Sequence, residues 1–278
     1  MGLHINTNVS SLILQNHLKG ITAEINTTLE RLTTGKKLNS AKDDPSGVGL
    51  ASKFEAQKRG FMKAQENVQD GLTLLESAED GLNSILSQLQ SFREVALEAA
   101  SDGILDYTPY ENQADSFQDA IDMVANTTSF NGTNLLDGSV VGAFNIHAGA
   151  SSPAVNRIDI SDSIDREVTS AGLGVGSAAI TLANQADALT AVDELDTAIQ
   201  AVADRLTIIG SQQNVLDNHL NYLNVMEENM SAAESRIRDA DTAEETARLS
   251  QLQILQQAAG SMLVNSNNQA NIFFLLYG

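Results

Sequence analysis

The sequence predicts a mainly α-helical protein. Its expected form is an antiparallel bundle of long coiled-coil helices with one β-hairpin, plus paired terminal helices in a smaller coiled coil. Three observations carry this. Two long stretches, 68–99 and 195–230, keep an apolar heptad. The stretch between them switches to period-two patterning. The chain opens on an amphipathic segment and closes on the unbroken apolar run Ile272, Phe273, Phe274, Leu275, Leu276, Tyr277.

In the first segment Ile5, Val9, Leu12, Leu14, Leu18, Ile21, Ile25, Leu29 and Leu32 recur mostly at gaps of three and four, which is helix periodicity. It stops at "TTGKKLNSAKDDPSG", whose Gly, Asn, Asp and Pro mark a loop. In the second segment Val68, Leu72, Leu75, Ala78, Leu82, Ile85, Leu89, Phe92, Ala96 and Ala99 form a heptad seam with one stammer. That helix is expected over about 46–101, with Gly71 and Gly81 as weak points. A third helix over 110–128 puts Phe117, Ile121 and Val124 on one face.

Phe144, Ile146 and Ala148, then Ile158 and Ile160, predict a β-hairpin at about 140–162, turning at Gly/Ser/Pro residues 149–153. Residues 162–185 read as irregular. The heptad resumes at Leu195, Ile199, Val202, Leu206, Ile209, Gln213, Leu216, Leu220, Leu223, Glu227 and Met230. Polar Gln213 and Glu227 in that seam would fix register at some cost in stability. A last helix runs from about Ala243 to Leu263 and onward.

The two long heptads can pair antiparallel, so 46–239 reads as a rod domain. Its seam is Leu72, Leu75, Leu82, Ile85, Leu89 and Phe92 against Leu206, Ile209, Leu216, Leu220 and Leu223. Residues 1–45 and 240–278 then form the terminal coiled coil. Two lone helices bury wide apolar stripes poorly. Burying six side chains like those of 272–277 would contribute roughly 10 kcal/mol before entropy costs. A partner is therefore expected along Ile5, Val9, Leu12, Leu18, Ile21, Ile25, Leu29, Leu252, Leu255, Met262, Leu263, Ile272, Phe273, Phe274, Leu275 and Leu276.

Composition narrows the function. There is no cysteine, so disulfides and thiolate metal sites are excluded. Net charge is −20. Residues 1–63 hold nine of the sixteen Lys/Arg and only five of the thirty-six Asp/Glu, and the acidic remainder argues against nucleic acid. No apolar stretch of ~20 residues predicts membrane insertion. "MGLHINTNVSSLILQNHLKG" lacks the features of a cleavable signal peptide.

Catalytic patterns are missing. His4, His17, His147 and His219 are scattered, and "GLGVGSAA" places Ser177 where a dinucleotide fingerprint has its third glycine. "ESRIRDADTAEE" clusters carboxylates, but it reads better as a helix end and a capped restart. Asp241 or Thr242 would be the N-cap, with Glu244 and Glu245 in the first turn. No enzyme, metal or cofactor is expected.

"INTNVSSLILQNHL", "LERLTTGKKLNSAKDDPSG", "SFNGTNLLDG" and "AAESRIRDADTAEETARLSQLQILQQAAGSMLVNSNNQAN" closely resemble bacterial flagellin, over roughly 1–140 and 195–278. The resemblance implies a subunit that self-assembles into the helical flagellar filament used for swimming. The paired termini would form an inner coiled coil lining the filament channel, and the long helices the next shell. With so little chain between the halves, this looks like a minimal type with little or no variable outer domain. The resemblance also implies export, unfolded, through the flagellar type III apparatus without a cleavable signal, an export chaperone on the C-terminal segment, and contacts with filament cap and hook–filament junction proteins. The location implied is the extracellular flagellum. A hook–filament junction protein is the alternative, since it shares the terminal helices.

Two departures from the family pattern stand out. Family members seen by the animal Toll-like receptor typically carry a basic residue and a leucine around the Arg of "LQSFREVALEAA", and a glutamate nearby. Here Arg93 is flanked by Ser91 and Val95, and Gln113 takes the glutamate's place. Weak receptor signalling is expected. The ending "NIFFLLYG" is also bulkier than the common family ending, which implies tighter packing or a narrower channel there.

Overall fold

The computed structural model describes residues 8–101, 106–139, 144–152, 156–164, 167–176 and 180–277, with side chains up to residue 268. Six helices and two small antiparallel hairpins make up these residues. They are α1 Val9–Thr34, α2 Pro45–Ala99, α3 Thr108–Thr127, β1 Ser129–Phe130, β2 Thr133–Asn134, β3 Asn145–His147, β4 Arg157–Asp159, α4 Ser161–Ile164, α5 Gln185–Arg238 and α6 Thr242–Tyr277. The mainly α-helical expectation holds. Ile5 and the side chains of Ile272, Phe273, Phe274, Leu275 and Leu276, among the expected partner-facing residues, lie outside the described residues.

Local sequence sets the helix ends. The Asn8 side chain accepts a hydrogen bond from the Ser11 N–H at 3.1 Å and starts α1; Gly35, at φ 67°, stops it. The Asp44 carboxylate accepts the Ser46 N–H at 3.0 Å, and Pro45 opens α2 with φ already helical. Asp106 does the same for Thr108 ahead of α3, at 3.0 Å. Asn184 and Asp187 bond reciprocally at the start of α5, at 3.0 and 2.7 Å. Asp241 accepts from Ala243 N–H at 2.8 Å and Glu244 N–H at 3.3 Å, so it is the N-cap of α6, with Glu244 and Glu245 in the first turn.

The chain divides into two compact units. A terminal unit comprises Met1–Ala56 with Asn229–Gly278, and a central unit comprises Gln57–Glu228. The division falls inside α2 and α5 rather than at the loop before residue 45 and the break at 239–241. Both helix ends are bonded into the terminal unit, as shown below for Arg238 and Glu55.

The central unit is built on the predicted seams. Val68, Leu75, Ala78, Leu82, Ile85, Leu89, Phe92, Ala96 and Ala99 of α2 are buried, as are Leu195, Val202, Ile209, Leu216 and Leu223 of α5. Leu72, Leu206 and Leu220 are half-buried against the same core. Three polar rungs tie α2 to α5. Gln65 meets Glu227 at 3.2 Å, Gln213 meets Glu79 at 2.8 Å, and Arg93 grips Asp196 through Nε at 2.5 Å and a second nitrogen at 3.1 Å. Adjacent rungs on α2 are two heptads apart, and all three run antiparallel. Gln213 and Glu227 thus have the partners that a register device needs. α3 adds Ile121 and Ala125 to the core, and Phe117 stacks on Phe92 at 5.6 Å.

The hairpin predicted at about 140–162 is β3–β4, with Ile146 opposite Ile158. A second, β1–β2, turns at Asn131 (φ 50°) and Gly132 (φ 78°), with Phe130 opposite Thr133. Asn-Gly in a two-residue loop supplies both positive φ angles that such a tight turn needs.

Gly71 and Gly81 act differently from the weak points expected of them. A Cβ at Gly71 would collide with Ile146 of β3, and one at Gly81 would lie 2.7 Å from Thr128 and 2.8 Å from Leu136. They are two of the places where the hairpin region lies directly on α2; Gly60, where a Cβ would lie 2.9 Å from Ala150, is another. The irregular stretch after β4 is pinned too. Asp122 of α3 accepts from the Ser170 N–H and hydroxyl at 2.7 and 3.0 Å, and Arg205 donates to the Ser163 carbonyl at 3.1 Å.

Candidate assembly surface

The terminal unit carries the features expected of a polymer contact. α1 and α6 lie along each other antiparallel. Asn8 donates to the Ser266 carbonyl at 3.0 Å, Glu24 lies 3.6 Å from Arg248, and Arg31 meets Glu245 at 3.2 Å. Asn8 therefore caps α1 and ties it to α6 with one side chain.

The seam between them is thin. Its least exposed positions on α1 step through Ser11, Leu14, Leu18, Ile21, Ile25, Thr28 and Leu32. On α6 they are Glu245, Leu249, Leu252, Gln256, Ala259, Leu263 and Ser266, at alternating gaps of four and three. Only Ser11, Thr28, Glu245, Leu252 and Ala259 of these are buried, and three of the five are polar.

Glu245 is 8 % exposed, and its Oε2 has no hydrogen-bond partner. The Arg31 contact and the N-terminus of α6 help offset the cost of burying that charge. The loop after α1 is stitched to the end of α5. Lys37 N–H donates to the Arg238 carbonyl at 2.7 Å, Ala240 N–H to the Gly35 carbonyl at 3.0 Å, and the Arg238 guanidinium reaches Glu55 at 3.0 Å and Glu234 at 3.4 Å. Within that loop the Ser40 N–H, helped by Asn39, holds the Asp43 carboxyl below its ordinary range.

Large apolar side chains remain uncovered on the opposite faces. Val9, Leu12, Ile13 and Leu29 of α1 are exposed, as are Ile254, Leu255, Met262 and Val264 of α6, with Ile254 at 67 %. Large apolar side chains exposed along one helix pair are candidates for a contact with another protein. Each of these side chains moved into a packed contact would contribute roughly 1.5–3 kcal/mol.

The expected partner-facing residues divide accordingly. Val9, Leu12, Leu29, Leu255 and Met262 point to solvent; Leu18, Ile21, Ile25 and Leu263 are half-buried; Leu252 is buried. In the central unit, Ser91 and Val95 are half-buried and Gln113 is exposed, while Arg93 is engaged by Asp196.

Sequence reasoning missed the roles of Asn8, Arg31 and Ser266. Asn8 carried a signal: an Asn just before the first periodic residues is a cap candidate. Arg31 and Ser266 carried none, because their partners lie at the other end of the chain. Among the described residues there is no metal-holding cluster of His, Asp and Glu, and no helix long and apolar enough to cross a membrane.

Comparison with known proteins agrees with this arrangement. The bacterial flagellin N-terminal helical region matches residues 5–141, and the bacterial flagellin C-terminal helical region matches residues 192–276. The chain is 32 % identical to a flagellin of Bacillus subtilis, covering 99 % of this chain and 100 % of that one. It is also 32 % identical to a flagellin of Halalkalibacterium halodurans, over 87 % of each. Among solved structures, a putative flagellar hook-associated protein from Vibrio parahaemolyticus shares the fold, with TM-score 0.52 and 18 % identity over 69 % of this chain and 100 % of that one. The chain belongs to the bacterial flagellin family: it is a structural subunit of the extracellular flagellar filament and not an enzyme.

Proposed function

We propose that copies of this chain self-assemble into a helical filament through the terminal unit, giving a propeller for swimming. The outward faces of α1 and α6 pack against those of neighbouring copies and complete an inner coiled coil around the channel. The observation that carries this is the exposed apolar set Val9, Leu12, Ile13, Leu255, Met262 and Val264 on a helix pair whose own seam is thin and partly polar. A pair so weakly closed also suits export in unfolded form through the flagellar type III apparatus. An export chaperone would cover the apolar C-terminal segment until delivery, and cap and junction proteins would meet the same helices at the filament ends. The filament subunit is favoured over the hook–filament junction protein by flagellin relatives that are 32 % identical over 87 to 99 % of the chain.

The double substitution Leu255→Ser with Met262→Ser tests this. Both side chains face solvent in the monomer, so circular dichroism and melting of the soluble chain should stay as in the parent. Sedimentation and electron microscopy under polymerising salt should show no filaments. Normal filaments from the double variant would remove the terminal unit from the assembly contact. Deleting residues 269–278 should likewise leave the central unit folded and abolish growth.

A further inference from the structure

We infer that Asn131 is a site of intrinsic covalent modification, losing its side-chain amide to become aspartate and isoaspartate. Asn131–Gly132 is the one Asn-Gly pair in the sequence. Both residues are exposed, and they form the whole two-residue loop between Phe130 and Thr133. Nothing lies within 4 Å of the point where a Cβ on Gly132 would sit, so that flank of the backbone nitrogen is open to solvent. Among the described residues the Asn131 amide has no hydrogen-bond partner.

Several other asparagines are held, and Asn26 and Asn83, whose amides have no partner among the described residues, lie inside α1 and α2, where the next backbone nitrogen is committed to the helix. The amide of Asn126 donates to the Asp122 carbonyl at 2.7 Å, that of Asn134 to Asp137 at 2.8 Å, and that of Asn67 to the His147 carbonyl at 3.0 Å. Asn214 and Asn218 are tied to carbonyls one turn back in α5, where the backbone nitrogen is also committed to the helix.

The chemistry needs only water and base. The Gly132 nitrogen gives up its proton and attacks the Asn131 carboxamide carbon. A C–N bond forms to that carbon, its bond to Nδ2 breaks, and Nδ2 leaves as ammonia with the proton. Water then opens the five-membered imide at either carbonyl carbon, breaking that C–N bond and returning a proton to nitrogen. Opening at one carbonyl gives aspartate and at the other isoaspartate, with no change of oxidation state.

The two products differ in consequence. Asp-Gly also serves a tight two-residue turn, so aspartate leaves β1–β2 intact. Isoaspartate adds a methylene to the backbone of a loop with no slack. Phe130 then cannot stay opposite Thr133, and the buried Leu135 and Leu136 just beyond are disturbed. In an extracellular polymer the products persist with the subunit and accumulate with its age.

The full-length protein is incubated at mildly alkaline pH and 37 °C, and peptide maps are taken over time by mass spectrometry. The expected result is a gain of about 1 Da, appearing first and fastest on the peptide holding residue 131, as amide becomes carboxylate. The product should accept methyl groups from an isoaspartyl methyltransferase; N131D should show no mass gain at that peptide and should accept methyl groups far more slowly, since Asp-Gly reaches the same imide only by the slower loss of water. A rate at residue 131 no faster than at the other asparagines would overturn the assignment. So would a rate far below that of the free peptide of residues 128–136, since the folded turn would then protect the site.

Discussion

The central and terminal units are both antiparallel helix pairs, and they are closed to very different degrees. In the central unit the α2 seam from Leu75 to Ala99 is sealed, with Leu82, Ile85, Leu89 and Phe92 at 0 % exposure. Hairpins and α3 cover its other faces. In the terminal unit the buried seam positions are few and mostly polar, while Ile254, Met262 and Val264 face water. Charge divides the same way. Residues 57–228 hold seven Lys/Arg and twenty-six Asp/Glu; the remainder holds nine and ten. Single-sign charge keeps a surface soluble and apart from its copies, whereas a near-neutral apolar one invites association. One unit finishes its own core, and the other leaves large apolar side chains in water.

The largest effect that could break this comparison is in the sealed seam. Phe92 is fully buried and stacked on Phe117. Phe92→Ala removes that stack and opens a cavity, and should destabilise the central unit by about 3–5 kcal/mol. Chemical denaturation with far-ultraviolet dichroism measures it. A loss under about 1 kcal/mol would mean that the seam can collapse around the gap and is looser than its burial suggests. Leu255→Ala in the terminal unit is the matched control. It should change monomer stability by no more than about 0.5 kcal/mol, because the side chain is exposed.

Much of this difference was legible in the sequence, and the illegible part has a physical cause. Both long heptads, the β3–β4 hairpin, a cap at Asp241 or Thr242 and the polar seam positions Gln213 and Glu227 followed from periodicity and capping chemistry. Their partners, Glu79 and Gln65, could not be chosen without the offset between α2 and α5. The β1–β2 hairpin was signalled by Asn131-Gly132 but is too short to show strand periodicity on either side. Gly71 and Gly81 looked like helix defects because nothing local says that Ile146 and Leu136 pack there. The terminal helices were the hardest. α6 has apolar residues on two sides, so Leu252 turning inward and Leu255 outward depends on where α1 lies.

A smaller effect tests how the terminal pair is held. Asn8 bonds Ser11 within α1 and Ser266 on α6. Asn8→Ala should cost about 1 kcal/mol as a lost N-cap. Because the terminal seam is thin, that cost should appear as faster amide exchange over the first turns of α1 and around Ser266, with exchange in the central unit unchanged. Equal protection in both proteins would show that the apolar seam alone holds the pair.

The smallest effect concerns acid. The hydrogen bond from Arg93, followed by its charge, holds the Asp196 carboxyl below its ordinary range. A carboxylate with a lowered folded pKa contributes stability that is present above the unfolded value, about 3.9, and lost as pH falls through the folded one. The Arg93–Asp196 rung therefore supports the central unit from neutral pH down to about pH 4 and fails below that. Both side chains are substantially exposed, so the contribution is modest and salt-sensitive. Asp196→Asn should leave the midpoint at neutral pH slightly lower and flatten the acid limb of stability against pH. The parent and variant curves should converge as pH falls from about 4 through the lowered folded value, where the parent's carboxylate becomes protonated as well. Curves that stay parallel through that range would show that the rung is only a contact of shape. The sealed apolar seam would then hold α2 and α5 in register without it.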